Sequence, residues 1–161
     1  MTAFRSYLDK VLEWFLVILM MLLLADVLLQ VASRYLLSNT ISFTDELAGF
    51  LLIWVGMAGA AYVTGQEKGH LAITYVKDRF RSTDQKWFEM AIHLTILCFA
   101  IVVMVIGGTW LVYTRFYLGQ TSPSLEISLG YIYMIVPISG LIIGFYSIDN
   151  LLRTRNGQDG N

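Results

Sequence analysis

The sequence predicts an all-α membrane protein with four transmembrane helices, both termini cytoplasmic, and a short interfacial amphipathic helix between helices 2 and 3. Three observations predict it. The composition is too apolar for a soluble chain of this length. Four windows are each long enough to span a bilayer. Lysine and arginine are distributed very unevenly among the connections.

Of 161 residues, 57% are hydrophobic and only 14% charged, and the mean hydropathy is +0.63. Soluble domains carry roughly 45–50% apolar and about 25% charged residues. A small soluble domain buries a smaller fraction of its surface than a large one, so it has nowhere to hide this excess. The formal net charge of −1 does not support a nucleic-acid partner, which calls for a basic face. A single cysteine, Cys98, excludes an intrachain disulfide scaffold.

The first helix is expected over approximately 11–34. A charged opening (Arg5, Asp9, Lys10, Glu13) leads into Trp14–Ser33, whose single charge is Asp26. This resembles a signal peptide, but the stretch is too long and no small-residue cleavage site follows it, so it reads as a retained helix. The second helix, approximately 45–66, has the uncharged window Leu47–Gln66. The third, approximately 84–115, opens on a Ser82/Gln85 capping box and contains the uncharged window Met90–Thr114. Counted from Ser82 it runs near 50 Å at about 1.5 Å per residue, so it must tilt or project beyond the hydrocarbon. The fourth, approximately 128–151, is uncharged over Ile127–Ile148 and carries Pro137. About 20 apolar residues are needed to cross a bilayer as helix, and lipid demands that each backbone satisfy its own hydrogen bonds. Residues 1–155 therefore read as one four-helix domain, and 156–161 as a flexible tail.

Orientation follows from the positive charges. Arg5, Lys10, Lys68, Lys77, Arg79, Arg81, Lys86, Arg153 and Arg155 fall on one side, and only Arg34 and Arg115 on the other. The first side is then cytoplasmic. Within its middle connection, Ile73, Val76 and Phe80 recur at helical spacing, with Lys77, Asp78, Arg79 and Arg81 elsewhere on the wheel. That pattern suits a helix lying among membrane lipid headgroups.

Asp26, Gln30 and Arg34 share one helix face at i, i+4 and i+8. An intramembrane charge is costly against lipid. This face is therefore either a polar seam meeting protein or an ion relay centred on Asp26. The seam is favoured because no other window supplies a carboxylate. Asp45 and Glu46 open the second helix, where acids suit the positive end of the dipole. Arg34 on the same side either pairs with one of them or is solvated. Gly56 with Ala60, and Gly140 with Gly144, have the spacing that lets membrane helices approach closely. His70 lies in a polar connection and His93 near the start of the third helix, which is poorly suited to clamping a haem. No phosphate loop, catalytic triad or zinc spacing is present, so an enzyme is not indicated.

From Arg34 to Ile73 the chain reads Arg34, then Asp45-Glu46, then Trp54-Val55-Gly56-Met57-Ala58-Gly59-Ala60-Ala61-Tyr62, then Gly69-His70-Leu71-Ala72-Ile73. This resembles the small membrane subunit (Q or DctQ type) of tripartite ATP-independent periplasmic (TRAP) transporters. The resemblance implies a bacterial inner-membrane subunit that pairs with a large M-type membrane subunit. A periplasmic binding protein captures an organic acid, such as a C4-dicarboxylate or sialic acid. The large subunit holds the substrate and sodium sites, and the small one is a fixed scaffold needing no cofactor. On this resemblance Arg34, Glu46, Trp54 and His70 are structural or interface positions. Two rivals stay open: a self-contained ion-coupled transporter using Asp26, and a membrane anchor for a redox enzyme.

Overall fold

Runs of Leu, Ile, Val, Met and Ala without proline favour helix, and a lipid solvent leaves helix as the only way a single segment can close its own hydrogen bonds. The chain follows that rule. A computed structural model describes residues 2–36, 42–66 and 82–155, with side chains placed over 4–35, 43–66 and 90–154. Four long apolar helices qualify as candidate membrane spans: Phe4–Tyr35, Phe43–Gly65, Met90–Tyr117 and Leu129–Thr154. The stretch expected to hold the interfacial helix, and His70 with it, lies outside the described residues.

Helix α1 (Thr2–Leu36) starts at Thr2 rather than near position 11, taking the charged opening into the helix. Its early turns persist because Arg5 and Asp9 find partners on other helices. Arg34 sits in its last turn, where a cation suits the negative end of the dipole. Helix α2 (Ser42–Gly65) carries Asp45 in its first turn, the converse arrangement.

The third span is composite. Helix α3 (Ser82–Phe99) runs into a π-helical stretch, Ala100–Gly107, and then α4 (Gly108–Tyr117). The fourth span is broken at Met134 into α5 (Leu129–Tyr133) and α6 (Ile135–Arg155). Pro137 accounts for the break: it has no N–H to give to the Tyr133 carbonyl, and its ring crowds that carbonyl. The indole of Trp54 donates to the Ile132 carbonyl at 2.9 Å, so the second span supplies a donor to the turn that proline loosened.

The fourth span is the most buried and is the hub, packing on both the second and the third spans, while α1 packs chiefly on α2. The core is small: Ala61, Ala100, Met104 and Ile143, flanked by Met57, Ile96, Val136 and Ile142. Lipid tails are as apolar as these side chains, so fit rather than water exclusion must hold the helices together. Gly140 shows the fit. A Cβ there would stand 2.7 Å from Met104 Cβ and 3.2 Å from the Ala100 carbonyl oxygen. The glycine lets the fourth span lie against the π-helical stretch.

Candidate functional site

Polar side chains gather at the two ends of the bundle. At the end carrying the chain termini, Arg5 of α1 is almost fully buried. Its Nη1 donates to Asp149 Oδ2 at 2.5 Å and to Asn150 Oδ1 at 3.0 Å, and its Nη2 donates to the Gly65 carbonyl. Arg153 also reaches Asp149 Oδ2, at 3.0 Å from one turn away. Asn150 Nδ2 donates to the Thr64 carbonyl at 3.2 Å.

The last carbonyls of a helix have no partner of their own. Here those of α2 are closed by side chains from α1 and α6, and the guanidinium brings positive charge to the negative end of the α2 dipole. Tyr146, fully buried, donates its hydroxyl to Asp9, while the Arg5 guanidinium lies over its ring at 5.6 Å. Gly65 permits this, because a Cβ there would stand 2.7 Å from the tyrosine ring. Three helices are thereby tied at one point.

At the opposite end, Glu46 accepts from the Ser122 hydroxyl and from the Ser124 N–H at 3.0 Å. Ser122 Oγ in turn accepts from the Leu125 N–H at 3.2 Å. The loop between the third and fourth spans is thus fastened to the start of α2. It closes on itself as a small hairpin, with a bridge between Thr121 and Ser128. Arg115 donates to Gln120 and covers the Tyr133 ring at 5.4 Å.

The residues singled out from sequence divide as follows. Gln30 of α1 donates to Asp45 of α2. Asp26 is 7% exposed, and its Oδ2 is buried with no hydrogen-bond partner. Arg34 is exposed, and among the described residues no ion pair joins it to Asp45 or Glu46. The acids are taken instead by Gln30 and Ser122. Trp54 joins the second span to the fourth and lies 6.1 Å from the Phe15 ring.

Gly140 and Gly144 face the third span, with a Cβ at Gly144 falling 3.8 Å from Leu97. Gly56 and Ala60 do not face inward: both are exposed, and a Cβ at Gly56 would meet nothing within 4 Å. On that helix Ala58 and Ala61 are the small residues turned into the chain.

Sequence reasoning missed Arg5, Asp149 and Ser122. The pair Asp149/Arg153 at i, i+4 beyond an apolar window was a readable hint of a polar cluster. Nothing local marks Ser122.

A family model described as "Tripartite ATP-independent periplasmic transporters, DctQ component" matches residues 23–157. A "Putative TRAP transporter small permease protein" of Haemophilus influenzae is 24% identical over 156 residues, covering 96% of this chain and 93% of that one.

Proposed function

This chain belongs to the DctQ-component family of tripartite ATP-independent periplasmic transporters, and from that membership we propose that it is the scaffold half of a two-part membrane unit. It is the small permease component of such a transporter, a multi-pass membrane protein of a non-enzymatic family. In our reading it sits in the bacterial inner membrane with both termini in the cytoplasm, beside a large M-type subunit that carries the substrate and sodium sites. A periplasmic binding protein delivers an organic acid, a C4-dicarboxylate, sialic acid or a similar compound.

The observation that carries the scaffold role is where the ionisable groups are spent. Arg5, Asp9 and Asp149 at one end, and Asp45 and Glu46 at the other, bond to neighbouring elements. Such ties fix geometry. They leave little to bind a solute. The face of α2 bearing Gly56 and Ala60 supports a companion subunit, since small residues allow a second membrane helix to come close.

One observation favours a second reading. The buried Asp26, whose Oδ2 has no hydrogen-bond partner, is the kind of intramembrane acid that ion-coupled carriers use. Proteoliposomes separate the two. We expect uptake only when this chain is reconstituted with the large subunit and supplied with binding protein. Uptake by this chain alone would install Asp26 as a coupling acid and remove the scaffold role.

A further inference from the structure

Burial along α1 repeats every seven residues. Arg5, Leu12, Leu19, Asp26 and Ser33 are each no more than 7% exposed. Two positions further on in each repeat, Tyr7, Trp14, Met21, Leu28 and Tyr35 are 60 to 82% exposed. A straight α-helix drifts by about 20° per heptad, so α1 must coil around its neighbours to keep one face in and one face out over its whole length. The outer face is thereby one continuous stripe.

Aromatic rings mark where the lipid-length part of this stripe ends. Trp14 and Tyr35 lie 21 positions apart, which is about 31 Å at the rise of an α-helix. The hydrocarbon of a bilayer is about 30 Å thick. Trp and Tyr settle at the two edges of that layer, where the ring is in an apolar setting and the N–H or O–H is wet. Charge follows the same limits. Exposed Lys10 and Glu13 precede Trp14, exposed Arg34 adjoins Tyr35, and Asp26, the one ionisable residue between Trp14 and Ser33, is turned inward. The third span marks the second edge independently. Trp110, Tyr113 and Tyr117 are exposed near its end, with the rings of Tyr113 and Tyr117 stacked at 6.0 Å.

We propose that lipid covers the outer face of α1 in the assembled transporter, and that Trp14 and Tyr35 seat this helix in the bilayer, one at each interface. Water does not suit the face, since every exposed side chain from Trp14 to Ala32 is apolar. A companion helix does not suit it either. Membrane helices come close where side chains are small, and this face presents Trp, Met, Leu and Tyr. The small outward pair, Gly56 and Ala60, belongs to α2, so the two helices serve different neighbours. The same seat places the knot around Arg5. That residue is nine positions before Trp14, about 13 Å further out, so its ion pair with Asp149 lies beyond the hydrocarbon.

The test uses single nitroxide labels on Met21→Cys, Leu24→Cys and Leu28→Cys in a Cys98→Ser chain. Each labelled chain is reconstituted alone and with the large subunit, in vesicles of phosphatidylcholine and phosphatidylglycerol. Power saturation compares collisions with oxygen, which concentrates in hydrocarbon, and with a water-soluble nickel chelate. Met21 and Leu28 each lie one heptad inside an anchor, so their labels should report equal depth, with Leu24 deeper. Oxygen should dominate at all three, to the same extent with and without the large subunit. Loss of oxygen access when the large subunit joins would give the face to that subunit and overturn the proposal. Loss on raising the protein-to-lipid ratio would give it to a second copy, with the same consequence. Unequal depths at Met21 and Leu28 would overturn the seating. Uptake by the chain alone sinks the scaffold role and leaves these readings unchanged.

Discussion

Arg5 and Asp149, separated by 144 positions in the chain, meet at 2.5 Å in a buried ion pair that joins the beginning of the first helix to the end of the last. Desolvating two charges consumes much of what their attraction returns. The net gain comes from what Arg5 does besides, closing the Gly65 carbonyl and reaching Asn150.

Removing one partner strands the other. For a buried pair that costs about 3–5 kcal/mol, and Arg5→Met should fall near the lower end because Arg153 still holds Asp149. Asp149→Leu should destabilise more, since it removes the carboxylate that both Arg5 and Arg153 reach. The double variant should lose less than the two single losses added, the sign of direct coupling. Thermal melting of the detergent-solubilised protein measures all three; additive losses would mean that the pair is not coupled.

The two glycine pairs make a contrast that tests which face of each helix is internal. Gly140→Ala drives a methyl into Met104, and such overpacking costs about 1–3 kcal/mol. Gly56→Ala meets open space, so the isolated chain should melt as before. If the Gly56 and Ala60 face receives the large subunit, Gly56→Leu should leave the lone chain folded and abolish co-purification. Equal melting losses for Gly140→Ala and Gly56→Ala would contradict the packing described.

Glu46 is engaged by Ser122 and Ser124, and Arg34 is exposed. Exchanging the charges of Arg34 and Glu46 should therefore fail to rescue either single variant. Ser122→Ala should mimic Glu46→Ala, each loosening the same hairpin, and their combination should be little worse than one alone. Protease nicking within 119–128 reads the loosening. A charge swap that restores function would show that Arg34 and Glu46 pair in the assembled complex.

How far the sequence led depended on the range of each interaction. Bilayer thickness sets the length of a spanning helix, so the windows around Trp14, Leu47, Met90 and Ile127 announce themselves locally. Spacing alone identifies small-residue faces as well, but it does not say which way a face turns. Gly140 turns in and Gly56 turns out, and both have the same pattern. The Pro137 break is readable from proline chemistry, whereas its completion by Trp54, a residue 78 positions from Ile132, is not. Ties such as Arg5 with Asp149 join elements whose adjacency exists only once the helices are packed.

Asp26 tests whether that packing serves shape alone. Its Oδ2 is buried without a partner, and an ionised carboxylate so placed is unfavourable. Asp26→Asn keeps the shape and removes the charge, so a structural role predicts a melting temperature equal to or above that of the wild type. Asp26→Leu fills the same space without any polar atom and should not be much worse. If this subunit is a scaffold, transport by the whole assembly should keep the ion dependence of the wild type in both variants, because neither touches a coupling site. Loss of ion dependence with the assembly intact would show the opposite: the unpartnered oxygen would be kept for a cation or proton that passes through this subunit.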